Sequence, residues 1–149
     1  MKMKNILFTI LLAGGAFAYY SYNNPTVNFK EDTKAGIQFH KGTWAEALAL
    51  AKKDNKLVFL DVYASWCGPC KKLKKRTFSN DKVGKYFNEH FINVSVDGEQ
   101  GEGVTVASAY NVSSYPSLYL INGDGKIVTE TGGYISASEL ISFGKSVSK

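Results

Sequence analysis

The apolar positions of this chain fall into short runs whose period switches, and the switching predicts an ordered series of elements. Trp44, Ala47, Leu48 and Ala51 recur at helical spacing behind Thr43-Trp44-Ala45-Glu46, which has the capping-box pattern, so a helix is expected from Thr43 to near Asp54-Asn55. Lys56 to Tyr63 follows as a run apolar on both faces, the pattern of a central strand covered by helices. Gly68-Pro69 ends that run and a helix-favouring segment from Lys71 to Arg76 begins. Ser79 or Asn80 can cap a further helix in which Val83, Tyr86 and Phe87 share a face, and Phe91 to Val96 predicts a second strand. Beyond the polar, Gly-rich loop from Asp97 to Gly103, a helix is expected over Val104 to Tyr110 with a turn at Asn111. Ser117 to Ile121 and Lys126 to Thr131 flank the turn Asn122-Gly123-Asp124-Gly125, a hairpin signal. Ser136-Ala137-Ser138-Glu139 then caps a last helix carrying Leu140, Ile141 and Phe143. Strands alternating with helices, then a hairpin, predict an α/β fold: a central mixed β-sheet flanked by helices on both faces.

The N-terminus has a different texture. Lys2 and Lys4 precede an apolar run from Ile6 to Ala18 that ends in Ala16-Phe17-Ala18, a small-x-small cleavage pattern. As a helix this run reaches about 20 Å, short of the ~30 Å hydrocarbon core. Residues 1–18 therefore read as a secretory signal peptide, with an uncleaved N-terminal membrane anchor as the alternative, and the remainder as periplasmic or otherwise exported. No cysteine follows the run to accept a lipid. Residues 19–35 are polar, lack periodicity and contain Pro25, and are expected to be a tether. Residues 36–149 then suffice for one domain with one core and are too few for two. Loss of Lys2 and Lys4 lowers the formal charge from +5 to +3, too mild to imply nucleic acid.

The chemistry centres on the chain's two cysteines, in Trp66-Cys67-Gly68-Pro69-Cys70. Strand, turn and helix in that order put Cys67 at a helix N-terminus, where unpaired N–H groups favour a thiolate. Cys70, one turn on, is placed to attack a mixed disulfide formed on Cys67. Two other uses of the pair exist. A staple over so short a loop removes only about 2 kcal/mol of unfolded-state entropy. A closed zinc site needs four ligands, and His40 and His90 show no paired ligand spacing. Redox exchange fits better than either, and neither metal nor cofactor is expected. Asp61 is the exception in its apolar strand. Such a carboxylate is either an exposed strand-end or capping residue, or a buried acid with a reason to be there. Lys71, Lys72, Lys74, Lys75 and Arg76 read as the solvated faces of the following helix, with a weaker electrostatic role toward Cys67 or an acidic partner. The loop from Asp97 to Gly103 lacks EF-hand spacing.

The run from Asp61 to Lys71 resembles the active site of thioredoxins, and Tyr115-Pro116 before a strand resembles that family's cis-proline loop. The likeness extends from about Gly36 to Val147. Thr77-Phe78-Ser79-Asn80, the short helix after it and Phe91-Ile92-Asn93-Val94 make the chain more similar to exported thioredoxin-like domains typified by the C-terminal domain of the disulfide reductase DsbD. The resemblance implies a thioredoxin fold and a thiol-disulfide oxidoreductase. It implies catalytic roles for Cys67, Cys70 and Asp61, the last acting through water as proton acceptor for the second cysteine. It also implies a client groove rimmed by Trp66, Gly68, Pro69, Tyr115, Pro116 and Gly133, with Pro116 in cis exposing the Tyr115 backbone to an extended segment.

The chain departs from the family pattern at Tyr115, at Tyr63, and at Asn93, which stands where thioredoxins carry a lysine beside the buried acid. The Gly68-Pro69 dipeptide is the reducing member's, so a reductase of client protein disulfides is expected, acting as a monomer and recharged by a membrane or soluble thiol donor. A redox-inactive binding or chaperone module on the same fold is the alternative.

Overall fold

The computed structural model describes residues 3–23 and 25–147. Residues 1, 2, 24, 148 and 149, which belong to the expected leader, tether and domain, lie outside the described residues. Helix α1 spans Met3–Asn23, so it continues through Ala18 and into the stretch expected to be irregular. Among the described residues no helix is long and apolar enough to cross a membrane.

Four strands, β1 (Leu57–Tyr63), β2 (Phe91–Asp97), β3 (Ser117–Ile121) and β4 (Ile127–Gly132), form one sheet in the order β2-β1-β3-β4. β1 pairs parallel with β2 and antiparallel with β3, and β3 pairs antiparallel with β4. This is the expected mixed sheet, with its most apolar strand inside.

Strand alternation sends neighbouring side chains to opposite faces. Val58, Leu60 and Val62 meet α2 (Trp44–Asp54) and α5 (Glu102–Ala109) through Ala47, Ala51, Val106 and Ala107. Phe59 points the other way, into a core with Leu73, Phe78, Phe87, Leu118, Leu120 and Leu140. These come from α3 (Gly68–Leu73), the following π-helical turn Lys74–Phe78, α4 (Asp81–His90), β3 and α6 (Ala137–Lys145). Asp61 lies two positions along from Phe59 and therefore faces the α3 side.

The caps explain the element boundaries. Thr43 and Ser136 both form complete capping boxes, with Glu46 and Glu139 reaching back. Asn80 accepts from the N–H groups of Lys82 and Val83 to start α4. Asn55 ends α2 in the left-handed conformation, φ 51°. In the β3–β4 turn Gly125 takes φ 79° while the Asn122 side chain accepts from Asp124 and Lys126 N–H.

Residues 25–40, including most of the stretch expected to be a tether, lie along the fold. Ile37 N–H donates to Phe78 O at 2.8 Å and His40 N–H to Asn93 O at 2.7 Å. Gly84 makes the close approach possible, because a Cβ there would meet the Ala35 and Gly36 backbone. Pro25 is buried, and the Phe29 ring stacks on Tyr63 with centroids 4.0 Å apart and planes 7° from parallel.

Phe87 is fully enclosed and packs edge-on to Phe59 at 4.8 Å and against Phe91 at 5.0 Å. Phe87→Ala should therefore cost about 3–5 kcal/mol of unfolding free energy, read as a shifted urea midpoint with an unchanged slope.

Candidate active site

The end of β1 delivers the cysteines. Tyr63 closes the strand, Cys67 N–H donates to Ala64 O at 3.0 Å, and Cys67 becomes the N-cap of α3 with Pro69 in its first turn. Cys67 and Cys70 are joined by a disulfide, their Cα atoms 5.3 Å apart. Cys67 Sγ accepts from the Cys70 N–H at 3.2 Å. Both residues are enclosed, so in this oxidised state burial does not distinguish them and their order along the helix does.

Asp61 projects from the sheet face that α3 covers and is 2% exposed. Its Oδ2 accepts from the Ser95 hydroxyl at 2.7 Å, while its Oδ1 is buried with no hydrogen-bond partner among the described residues. Burial pushes the carboxyl up to about 7, against the opposing pull of the Ser95 hydrogen bond and the Lys74 cation. Asp61 is thus a buried acid rather than an exposed strand end. Tyr63 is pushed up to about 12 by burial, reinforced by Asp97 and Asp61.

Ser95 had no signal in the sequence beyond its place in the second strand. The parallel register sets it opposite Asp61. Asn93, two residues earlier, does not reach the acid. Its amide donates to Phe87 O at 3.3 Å, to Asn88 Oδ1 at 3.2 Å and to Gln38 O at 3.5 Å.

Lys74 corrects an expectation. Instead of joining a solvated face it is 8% exposed, and its Nζ donates to Asp32 Oδ1 at 3.0 Å. Lys74 opens the π-helical turn that also encloses Thr77 and Phe78.

The expected client rim is assembled from separate loops. Trp66 is 65% exposed, its Nε1 donates to Glu99 at 2.9 Å, and its ring meets Tyr115 edge-on at 6.3 Å. Gly98 leaves room for the Tyr115 ring, since a Cβ there would lie 2.7 Å from it. The Tyr115–Pro116 bond is cis, and Gly133 N–H donates to Pro116 O at 2.9 Å. Gly68 and Pro69 follow Cys67 at the helix start. Phe29, like Tyr63 and Tyr115, packs against the cluster of Ala64, Cys67 and Cys70, adding a wall that no motif announced.

A carboxyl held near 7 in the folded state and about 4 when unfolded stabilises the fold least when ionised. Its contribution is fully present below pH ~4 and is lost as pH rises through about 7. Asp61→Asn should therefore raise stability at pH 8 relative to wild type and give no such gain at pH 4. Urea unfolding at the two pH values with the disulfide intact tests this, and equal effects at both would point to a purely structural carboxylate.

A thioredoxin-like domain family matches residues 44–148. Over 95 residues the chain is 32% identical to the thiol:disulfide interchange protein DsbD of Yersinia pestis, a stretch covering 62% of this chain and 16% of that protein, so it spans about a sixth of that relative's length. A solved Bacteroides thetaiotaomicron protein named as a disulphide-isomerase is 40% identical, with a TM-score of 0.66 over 80% of this chain and 98% of that one. The oxidised C-terminal domain of Neisseria meningitidis DsbD shares the fold, with a TM-score of 0.59 and 23% identity over 74% of this chain and 97% of that one. With the Cys67–Cys70 disulfide at the head of α3 and the four-stranded mixed sheet behind it, the chain belongs to the thioredoxin-like family of disulfide oxidoreductases.

Proposed function

We propose that this protein is an exported thiol-disulfide oxidoreductase that works mainly as a reductase of disulfides in client proteins. One arrangement carries the reading: a Cys67–Cys70 pair at a helix start, over a buried carboxylate that keeps one oxygen unpartnered. A redox-inactive binding module has no need of two sulfurs at bonding distance or of an ionisable group sealed beneath them.

In the reduced protein the Cys67 thiolate attacks one sulfur of a client disulfide. A protein–client S–S bond forms, the client S–S bond breaks, and the departing client thiolate takes a proton from solvent. Cys70 then gives its proton toward Asp61, directly or through water, and attacks Cys67 Sγ. The Cys67–Cys70 bond forms as the mixed disulfide breaks, and the second client sulfur leaves as a thiolate that takes up a proton from Asp61 or solvent. Two electrons have passed to the client, and a dithiol donor returns them to the protein. Trp66, Gly68, Pro69, Tyr115, Pro116 and Gly133 line the side from which the client segment approaches. Reduction rather than oxidation is favoured by Gly68-Pro69 between the cysteines, the dipeptide of reducing members. The name of the Yersinia relative supports exchange with thiol partners, and the leader-like pattern of Lys2, Lys4 and Ile6 to Ala18 supports export.

In an insulin-reduction assay with a dithiol donor, Cys67→Ser should lose at least about a hundredfold in rate, as removal of a covalent nucleophile does. Cys70→Ser should accumulate client mixed disulfides through Cys67. Faster alkylation of Cys70 than of Cys67 at pH 6–7 in the reduced protein would reverse the assignment.

Export is tested by the intact mass of protein from the exported fraction, expected to correspond to a chain beginning at or near Tyr19. Full-length mass in a membrane pellet would favour the anchor.

A further inference from the structure

A buried charge cluster under the active-site helix has no part in the chemistry described so far. Lys74 follows Cys70 by one turn, so both lie on the inward face of the helix. That face covers the side of the sheet on which Phe59 and Asp61 project. The side chains of Lys74 and Asp32 are 9% and 7% exposed. Asp32 also accepts from Phe39 N–H at 3.0 Å and Lys41 Nζ at 2.8 Å, and Lys74 Nζ lies 4.8 Å from the Phe39 ring centroid. Burial alone would raise Asp32, yet its hydrogen bonds from Lys41, Phe39 and Lys74 hold it below the usual carboxylate range. An enclosed lysine is costly without a partner, and its field is weakly screened where water is excluded. The run of cations around Lys74 would serve a solvated surface without burying this one. Asp32, moreover, lies ahead of the residues that the family model matches, which begin at 44.

We propose that the Asp32–Lys74 ion pair is a positioning device that sets how readily Asp61 holds its proton: Lys74 favours the carboxylate, and Asp32 limits that effect by offsetting the lysine's charge. Its bearing on turnover rests on the reading of Asp61 as proton acceptor for Cys70. The groups that act on Asp61 are the Ser95 hydroxyl from β2, at 2.7 Å, and the Lys74 cation from the π-helical turn, with Tyr63 on the same face of β1. The directions agree, since burial raises Asp61 and Lys74 opposes the rise.

The two halves of the pair make opposite demands, which gives the test its discrimination. Carboxyl-detected NMR would follow the pH titration of Asp61 in the oxidised full chain, with Asp61→Asn identifying the signal. Lys74→Met should move the midpoint to higher pH by about one pH unit, Asp32→Asn should move it to lower pH, and Lys74→Arg should leave it in place. Simple loosening of the fold would hydrate Asp61 and move both neutralising variants downward together. Movement in one common direction, or none in either, would overturn the proposal. If Lys74→Met fails to fold, Lys74→Gln carries the same expectation. The pH profile of client-disulfide reduction is read separately and should follow the NMR midpoints. Opposed midpoints with an unmoved turnover profile would leave the ion pair's role standing and overturn Asp61 as the proton acceptor.

Discussion

Enclosing the Asp61 carboxylate without fully pairing it is the constraint to which the neighbouring elements answer. On an edge strand water would reach the group. In β1, with β2 and β3 on either side and α3 above, it is 2% exposed. Ser95 satisfies one oxygen from the neighbouring strand and leaves the other bare. The desolvation that raises its proton affinity would be a defect in a residue with no task. The same strand runs out through Tyr63 and Ala64 into Cys67, so the segment that buries the acid also aims the cysteines. One short connection therefore couples two chemical groups whose separation in sequence is only six residues.

Most of this was legible because the determinants are local. Capping boxes at Thr43 and Ser136, the apolar β1 run, the Asn122 to Gly125 turn and the Cys67-Gly68-Pro69-Cys70 spacing each act within a few residues, and the structure has the corresponding elements. Asp61 could be singled out for a related reason: one charge in a strand apolar on both faces is out of place by period alone. The rim was accessible only through the resemblance. Nothing local brings Gly98 against Tyr115 or Glu99 to Trp66 Nε1.

What could not be read depends on contacts between distant segments. Lys74 sits among Lys71, Lys72, Lys75 and Arg76, and a run of cations reads as solvated although Lys74 alone falls one turn after Cys70. The partner that lets it be enclosed lies 42 residues upstream and is not written in the local pattern. Residues 19–35 were misleading in the complementary way. Their polar, aperiodic composition suggests a free tether, yet Phe29 stacks on Tyr63 and Asp32 reaches the buried lysine. Periodicity detects a face that is apolar throughout; it does not detect a segment held by one ring and one carboxylate.

The charges form an ordered series outward from the site. Asp61 is sealed, Lys74 and Asp32 are nearly so, and the Lys41 side chain that also meets Asp32 is 67% exposed. From Lys74 to Asp32 to Lys41 the signs alternate, each charge is ion-paired with the next, and the last is hydrated. Such a series lowers the cost of burying its members, which no single pair achieves so far from water. It also crosses the boundary at Gly36 that composition suggests, because Asp32 lies before it and Lys74 after. A fragment beginning at Gly36 would keep the sheet, the cysteines and Asp61, but it would strip Lys74 of its carboxylate and of part of the segment that covers it. If the ion pair acts on Asp61 as proposed, the unit that sets the electrostatics of the site starts upstream of the residues that the family model matches.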